Sequence, residues 1–386
     1  MSKIRTVLLA TVGLVATAAM PVWASDAYGD PFEGWGFVKD DWQLVCDNTL
    51  TCRAAGYGSD DGSEPVSMLL VLEPNKASVT AYVDFINLEE EFSEAPNSEI
   101  TEPTLWLNNQ NYGPINIEGG NGGLRLNAVQ TKQVIGHAKM NSKIEIKSAQ
   151  KVWQISDKGL SAVLLKADEI QGRVGTSLAL VSRNDPNKQT PKSAMAQPVI
   201  QKALVYSETH QQLDTKKLSY FQKNIESWID VKAKPYSGSN DDMGDCELIN
   251  PKSKYYINFD FQENAPQWYF IAVDSQHTLA SHLCWRGAYN EGYGYWLIDN
   301  DKPANPQLIT VGASDYSDGT IWAAHKSRGL GDCWGQKTWV WDGRHFVLAE
   351  QSTTGMCRGF AGGAWNLPTY VSQVIESHAQ SNTLAR

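Results

Sequence analysis

The sequence predicts a mainly β protein with a few helices (α+β), arranged as two strand-rich domains of β-sandwich or barrel-like type, each with a helix packed nearby. Three observations predict it. Short runs of apolar and polar alternation, broken by turn residues, recur along most of the chain. Strongly amphipathic helical stretches are few. Near the C-terminus, Asp342-Gly343 sits between two aromatic and β-branched runs, the signature of a hairpin.

The chain begins with Lys3 and Arg5, a mainly apolar run from Val7 to Ala19, and the small-residue pattern Val22-Trp23-Ala24. This reads as a secretory signal peptide over residues 1–24. The run falls short of the roughly 20 apolar residues that a spanning helix needs, and Thr and Gly dilute it. An exported, periplasmic protein with no membrane insertion after cleavage is therefore expected. The formal net charge of the whole chain is −10, from 33 Lys and Arg against 43 Asp and Glu. Such a balance repels phosphate backbones and argues against a nucleic-acid partner.

The N-terminal domain is expected over residues 25–183. Trp42, Leu44 and Cys46 alternate with Gln43, Val45 and Asp47, the pattern of a half-buried strand. Further strands are expected over 66–72, 79–88, 104–107, 124–129, 152–155 and 177–182. One helix interrupts them. Ser156 or Asp157 is its expected cap, Leu160, Val163, Leu164, Ala167 and Ile170 form its apolar face, and Gly172 ends it.

Residues 184–240 read as a linker followed by a docking helix. The stretch NDPNKQTPKSAMAQP is polar, proline-bearing and without apolar period. Asp214 then opens a helix whose Leu218, Phe221, Ile225, Trp228 and Ile229 share one side. The C-terminal domain, 241–386, holds eight of the 14 tryptophans. Tyr255, Ile257, Phe259 and Phe261 alternate there as in a strand. The Asp342-Gly343 turn should set Trp341 opposite Arg344 and Trp339 opposite Phe346. Pro368 should begin a tail helix ending near Ala379.

Six cysteines behind a signal peptide point to disulfides in an oxidising compartment. Spacing favours Cys46 with Cys52 and Cys333 with Cys357, which leaves Cys246 with Cys284. None has the C-x-x-C spacing of a redox or zinc site.

The N-terminal run from Trp42 through Cys46 and Cys52 to Gly56, the helix with Gly159, Gly172 and Arg173, and Gly287-Ala-Tyr-Asn290 together carry a family likeness. So do Arg328-Gly-Leu-Gly-Asp-Cys333, Trp339-Val-Trp-Asp-Gly343, Cys357-Arg-Gly and Trp365-Asn-Leu-Pro368. Together they resemble the secreted bacterial family known as domain of unknown function 1176. The resemblance implies export and no particular activity. The N-terminal half is also similar to the invasion-associated locus B group of exported β proteins, and no role in invasion is carried across.

Catalytic motifs are poorly represented. Neither Gly159-Leu-Ser161 nor Gly175-Thr-Ser177 completes a nucleophile elbow. The seven histidines are scattered without zinc-ligand spacing. The acidic loops at 239–245 and 314–319 depart from the calcium-loop pattern and read as solvated turns. No cofactor or metal is expected. Arg328, Asp332, Trp334 and Arg358 stand apart, because a Cys333–Cys357 bond would draw them together among Gly329, Gly331, Gly335, Gly355 and Gly359 as a clamp for carboxylate or phosphate. The plainer alternative is ion pairing of the arginines with Asp332.

These features predict a non-catalytic periplasmic binding protein whose partner is an envelope protein or peptidoglycan glycan. One alternative is an enzyme acting on cell-wall glycan, with Asp299, Asp301, Asp315 or Asp318 in acid–base roles. A third is an inhibitor or immunity-type protein facing a toxin or lytic enzyme.

Overall fold

The computed structural model describes residues 35–60, 64–85, 102–116, 123–148, 151–229, 246–250, 252 and 265–377. The expected leader, the acidic loop 239–245 and the alternating run 255–261 lie outside them.

The described chain is mainly β with three α-helices, in several antiparallel sheets, none of them closed into a barrel. The first sheet follows chain order: β1 (Trp35–Lys39), β2 (Trp42–Cys46), β3 (Cys52–Tyr57), β4 (Val66–Leu72) and β5 (Val79–Phe85), with β8 (Leu124–Arg125) at its edge. A second sheet runs β10 (Val152–Ile155), β9 (Ile144–Lys147), β6 (Thr104–Leu107), β7 (Gln110–Pro114). Helices α1 (Ala128–His137) and α2 (Leu160–Ile170) complete this half.

Because alternate strand residues point to opposite faces, the first sheet has two sets of side chains to bury. Trp42, Leu44, Met68 and Leu70 pack with Leu105, Ile146 and Trp153 of the second sheet and with Leu160, Val163 and Leu164 of α2. Val45, Ala55, Tyr57 and Leu69, on the other face, pack with Phe360, Ala364, Trp365 and Leu367 from the far end of the chain. So β2 is buried on both faces rather than half-buried. The alternation of Gln43 and Asp47 with apolar neighbours reflects a polar contribution to an internal layer, not a face in water.

In the C-terminal half, β12 (Tyr269–Ala272), β13 (His277–Arg286), β14 (Glu291–Asp299) and β15 (Gln307–Ala313) form a meander. It is followed by a second sheet of β16 (Asp315–Ser317), β17 (Thr320–Lys326), β18 (Trp334–Trp341), β19 (Phe346–Thr353) and β20 (Leu367–Val371). Leu279, Leu297 and Ile309 of the first meet Ile321, Trp339, Trp341 and Phe346 of the second. Helix α3 (Thr215–Trp228) covers the meander's outer face with Phe221 and Ile225, beside the Cys246–Cys284 bond. Asp214 caps it as expected, accepting from the N–H groups of Lys216 and Lys217. Finally β11 (Val199–Lys202) pairs in parallel with β21 (Gln373–Glu376).

All three disulfides have the expected partners: Cys46–Cys52, Cys246–Cys284 and Cys333–Cys357. Several local expectations are corrected. Residues 124–129 give only the two-residue β8 before α1 starts, because Asn127 and Gln130 form a reciprocal capping box with both bonds at 2.9 Å. Residues 177–182 are irregular, since the N–H groups of Leu180 and Val181 donate to the Asp168 carboxylate instead of to a strand. The cap of α2 is Gly159, not Ser156 or Asp157. Its φ is +99°, and a Cβ there would lie 1.9 Å from the Lys39 carbonyl oxygen, which only glycine avoids.

The hairpin of β18 and β19 is slipped by two residues from the expected register, with Trp341 opposite Phe346 and Trp339 opposite Leu348. Asp342 causes this: its carboxylate accepts from the N–H groups of Arg344 and His345, both at 2.7 Å, and makes the loop four residues long. A slip of two leaves every side chain on its expected face. In place of a tail helix from Pro368 the chain forms β20 and β21. Ladder partners in β19 and β11 override the local signal.

Candidate functional site

The Cys333–Cys357 bond brings residues 327–334 against residues 354–363, and the four singled-out side chains lie around it. Arg328 forks onto Asp332, with Nε donating to Oδ1 at 2.7 Å and Nη2 to Oδ2 at 2.5 Å. Asp332 is only 1% exposed and also accepts from the Gly359 N–H at 2.7 Å. Burial by itself would raise the Asp332 carboxyl. The Arg328 bonds and the Gly359 N–H outweigh it, and the group is held below the ordinary carboxylate range.

Arg358 turns away from this pair. Its Nη2 donates to Asp41 Oδ1 at 2.8 Å, so it joins the C-terminal half to the turn between β1 and β2. Trp334 donates from Nε1 to the Gly331 carbonyl at 2.9 Å, and the Lys326 ammonium lies 5.4 Å from its ring centre. The arginines therefore do not converge as a two-armed clamp. Each is tied to its own carboxylate. Of the five glycines, Gly331, Gly355 and Gly359 have positive φ. A Cβ on Gly355 would lie 2.1 Å from the Tyr57 hydroxyl, so this one makes room for contact between the halves.

That contact is extensive. The Tyr57 hydroxyl accepts from the Met356 N–H at 3.1 Å, and Trp365 Nε1 donates to Ser67 Oγ at 2.7 Å. The Asn48 amide donates to and accepts from the Val371 backbone, at 3.0 and 2.7 Å. Burial drives the Tyr57 phenol far above its ordinary range, so it stays protonated.

Beside this joint a cleft of about 870 Å³ opens between the halves. The N-terminal half contributes Val38, Gln43 and Asp60; the C-terminal half contributes most of the rest, including Trp285, Tyr289, His325 and Trp339. Of its five Asp, Glu, Lys or Arg side chains, four are cationic: Lys326, Arg328, Lys337 and Arg358. Gln43 Oε1 and Trp339 Nε1 are buried in its wall without a hydrogen-bond partner among the described residues. His325 is packed 5.1 Å from the Trp285 ring and bonded at 3.2 Å to the Glu291 carbonyl.

Three sequence motifs meet here. In Gly287-Ala-Tyr-Asn290, the Asn290 side chain donates to the Lys326 carbonyl and accepts its N–H, at 2.7 and 3.0 Å, while the Tyr289 hydroxyl donates to the Ser327 carbonyl at 3.2 Å. This loop thus docks on the Arg328–Cys333 motif, which the disulfide ties to Cys357-Arg-Gly. Sequence reasoning singled out the latter two but missed Asp41, Gln43, Trp285 and Tyr289 as neighbours. The one available signal was that Gly287–Asn290 belongs to the same set of quoted motifs.

Other candidates lie elsewhere. Asp299, Asp301, Asp315 and Asp318 are exposed at strand ends and turns, and none lines the cleft. The segment 314–319 is not the solvated turn expected: it holds β16 with Tyr316 buried, and only Asp318-Gly319 turns into β17. His282 is buried against Trp268, which lowers its pKa, and His277 is bonded to Asp274. Among the described residues, Asp332, Cys333 and Cys357 are grouped closely enough for a metal, but both sulfurs are committed to the disulfide. Of the eight C-terminal tryptophans, Trp296, Trp339, Trp341 and Trp365 are core. No helix among the described residues is long and apolar enough to cross a membrane.

The chain is similar to the uncharacterized protein YpfG of Escherichia coli (strain K12), at 22% identity over 94% of this chain and 98% of that protein. No solved structure matches it significantly. The family described as protein of unknown function (DUF1176) matches residues 37–372, a span that takes in both halves, the joint and the cleft. The chain belongs to that DUF1176 family.

Proposed function

We propose that this chain is a non-catalytic binding protein of the bacterial periplasm, exported behind its leader, which holds an envelope ligand in the cleft between its halves. The observation that carries this reading is the convergence of Gly287–Asn290, Arg328–Cys333 and Cys357–Gly359 on one cleft whose two walls are bonded to each other. Concave sites between rigid units are where ligands bind most often. The engaged groups at the rim support holding rather than proton transfer: Arg328 and Arg358 are oriented by Asp332 and Asp41, and His325 is bonded to a carbonyl. Three disulfides suit the oxidising compartment.

Gly335 offers a direct test. It lines the cleft on β18, and a Cβ added there meets no atom within 4 Å. Gly335→Phe should fill the cleft without disturbing the core. Wild-type protein is expected to recover an envelope component, in pull-down from periplasmic extract or in co-sedimentation with peptidoglycan. The variant should lose it at an unchanged melting temperature. Equal recovery by both proteins, or recovery by neither, would remove the proposal.

A further inference from the structure

The charges and hydrogen-bonding groups of the cleft specify more than a place. Four of its five fully charged side chains are cations, in a chain whose overall charge is −10. The carboxylates that balance the arginines sit behind them. Asp332 is 1% exposed and is not part of the lining; Asp41 is not part of it either. Of these two ion pairs it is the guanidinium that faces the cleft, and Asp60, which acts on Arg328, is the one carboxylate in the lining.

Neither guanidinium is used up by its partner. Arg358 bonds to Asp41 through Nη2 alone, and Arg328 bonds through Nε and Nη2. Arg358 Nε and Nη1 and Arg328 Nη1 make no hydrogen bond among the described residues; the Arg358 atoms are not sealed from solvent, and the Arg328 side chain is 44% exposed. An arginine already oriented by one carboxylate loses less freedom on meeting a second anion, which makes it a prepared donor. Lys326 adds an ammonium 5.4 Å from the Trp334 ring centre, with its methylene stem beside Gly331.

Neutral groups set the other half of the requirement. Gln351 and Thr353, on one face of the β18–β19 ladder, line the same cleft, together with Trp285 and the 46%-exposed Tyr289. Amide and hydroxyl groups beside flat rings match a hydroxyl-bearing ring, whose edge bonds to polar atoms while its C–H face lies on an aromatic. We infer that the cleft takes an acidic saccharide, a sugar ring bearing a carboxylate or phosphate, with Arg328, Arg358 and Lys326 on the acid and the amide-lined wall on the ring. This rests on the proposed binding role and names the class of ligand for it.

Calorimetry with the full chain and three probes tests the class: glucose, glucuronate and glucose 6-phosphate. At least one acidic sugar should bind ten times or more tightly than glucose, and more weakly as salt is raised. Which acid binds better tells carboxylate from phosphate. Lys326→Gln breaks no ion pair among the described residues and should weaken acid binding about tenfold at unchanged melting temperature. Lys132→Gln is the control, on a separate depression of the N-terminal half lined by α1 and by residues 180–186. Equal affinity for neutral and acidic sugar overturns the acid assignment. So does an effect of Lys132→Gln matching or exceeding that of Lys326→Gln. If no sugar binds while wild-type but not Gly335→Phe recovers an envelope component, the saccharide class falls and the cleft's binding role stands. If both experiments are blank, both readings fall.

Discussion

Asp168 and Asp332 are both buried carboxylates beside an arginine, and their surroundings move them in opposite directions. Asp168 is fully enclosed and accepts from Leu180 and Val181, while the equally enclosed Arg173 donates to the Glu73 carbonyl rather than to the acid. Burial wins there, raising the Asp168 carboxyl and lowering the Arg173 guanidinium despite their mutual attraction. Asp332 is held by a two-pronged guanidinium that stays 44% exposed, and it ends below the ordinary range. A neighbouring charge does not keep a buried acid ionised as well as a direct fork with one side in water does. The first pair is a joint inside the fold. The second ties a loop and still leaves donors for another molecule.

The largest expected effect is on the enclosed pair. Asp168→Ala leaves Arg173 charged in the interior and frees two N–H groups, and should destabilise by about 3–5 kcal/mol in urea unfolding. A loss under about 1 kcal/mol would show that Arg173 does not depend on Asp168, and the contrast would collapse. Arg328→Ala should come next, at about 2–3 kcal/mol, because Asp332 keeps its charge without its fork. The sign with pH is fixed by the lowered Asp332. Stability from that pair is fully present above the unfolded carboxyl value of about 3.9 and is lost as pH falls through the folded one. The gap between wild type and Arg328→Ala should therefore narrow below about pH 4, and a gap that widens in acid would contradict it.

Asp84 shows burial without an arginine. It is pushed up to about 6, chiefly by burial, with the Phe85 N–H opposing. The folded chain then binds a proton more readily than the unfolded one between about pH 4 and 6, and stability rises as pH falls through that window. Asp84→Asn should be more stable than wild type at pH 8 by about 1–2 kcal/mol, discounted for partial exposure, and should lose that advantage near pH 4. A constant difference across the range would show that the amide acts through packing instead.

What could be read from the sequence followed the range of the forces involved. Strands at 66–72, 104–107 and 152–155 and both longer helices were visible in apolar period, and the disulfide partners in spacing. Helix α1 was hidden because its identifying feature is a polar pair, Asn127 and Gln130, rather than an apolar face. The β20 and β21 strands were hidden because their partners lie far back in the chain, for β21 at residues 199–202. At the site, Arg328 and Asp332 are four residues apart and could be paired on paper. The pairing of Arg358 with Asp41, 317 positions away, could not. The two-sided burial of β2 likewise depends on Phe360 and Trp365, which no local pattern around Trp42 announces.

That last contact sets an order of events for a chain made from its N-terminus. Val45, Ala55, Tyr57 and Leu69 are finished early, but the residues that cover them, 360–367, are among the last to emerge. Through most of synthesis the first sheet has one apolar face with nothing of its own chain to lie against. Such a face is open to other chains until the end arrives. The strand pairing of 199–202 with 373–376 is delayed in the same way. Chains cut short anywhere before residue 360 should thus persist as sticky intermediates rather than as small stable fragments, so the length of the protein is part of its solubility.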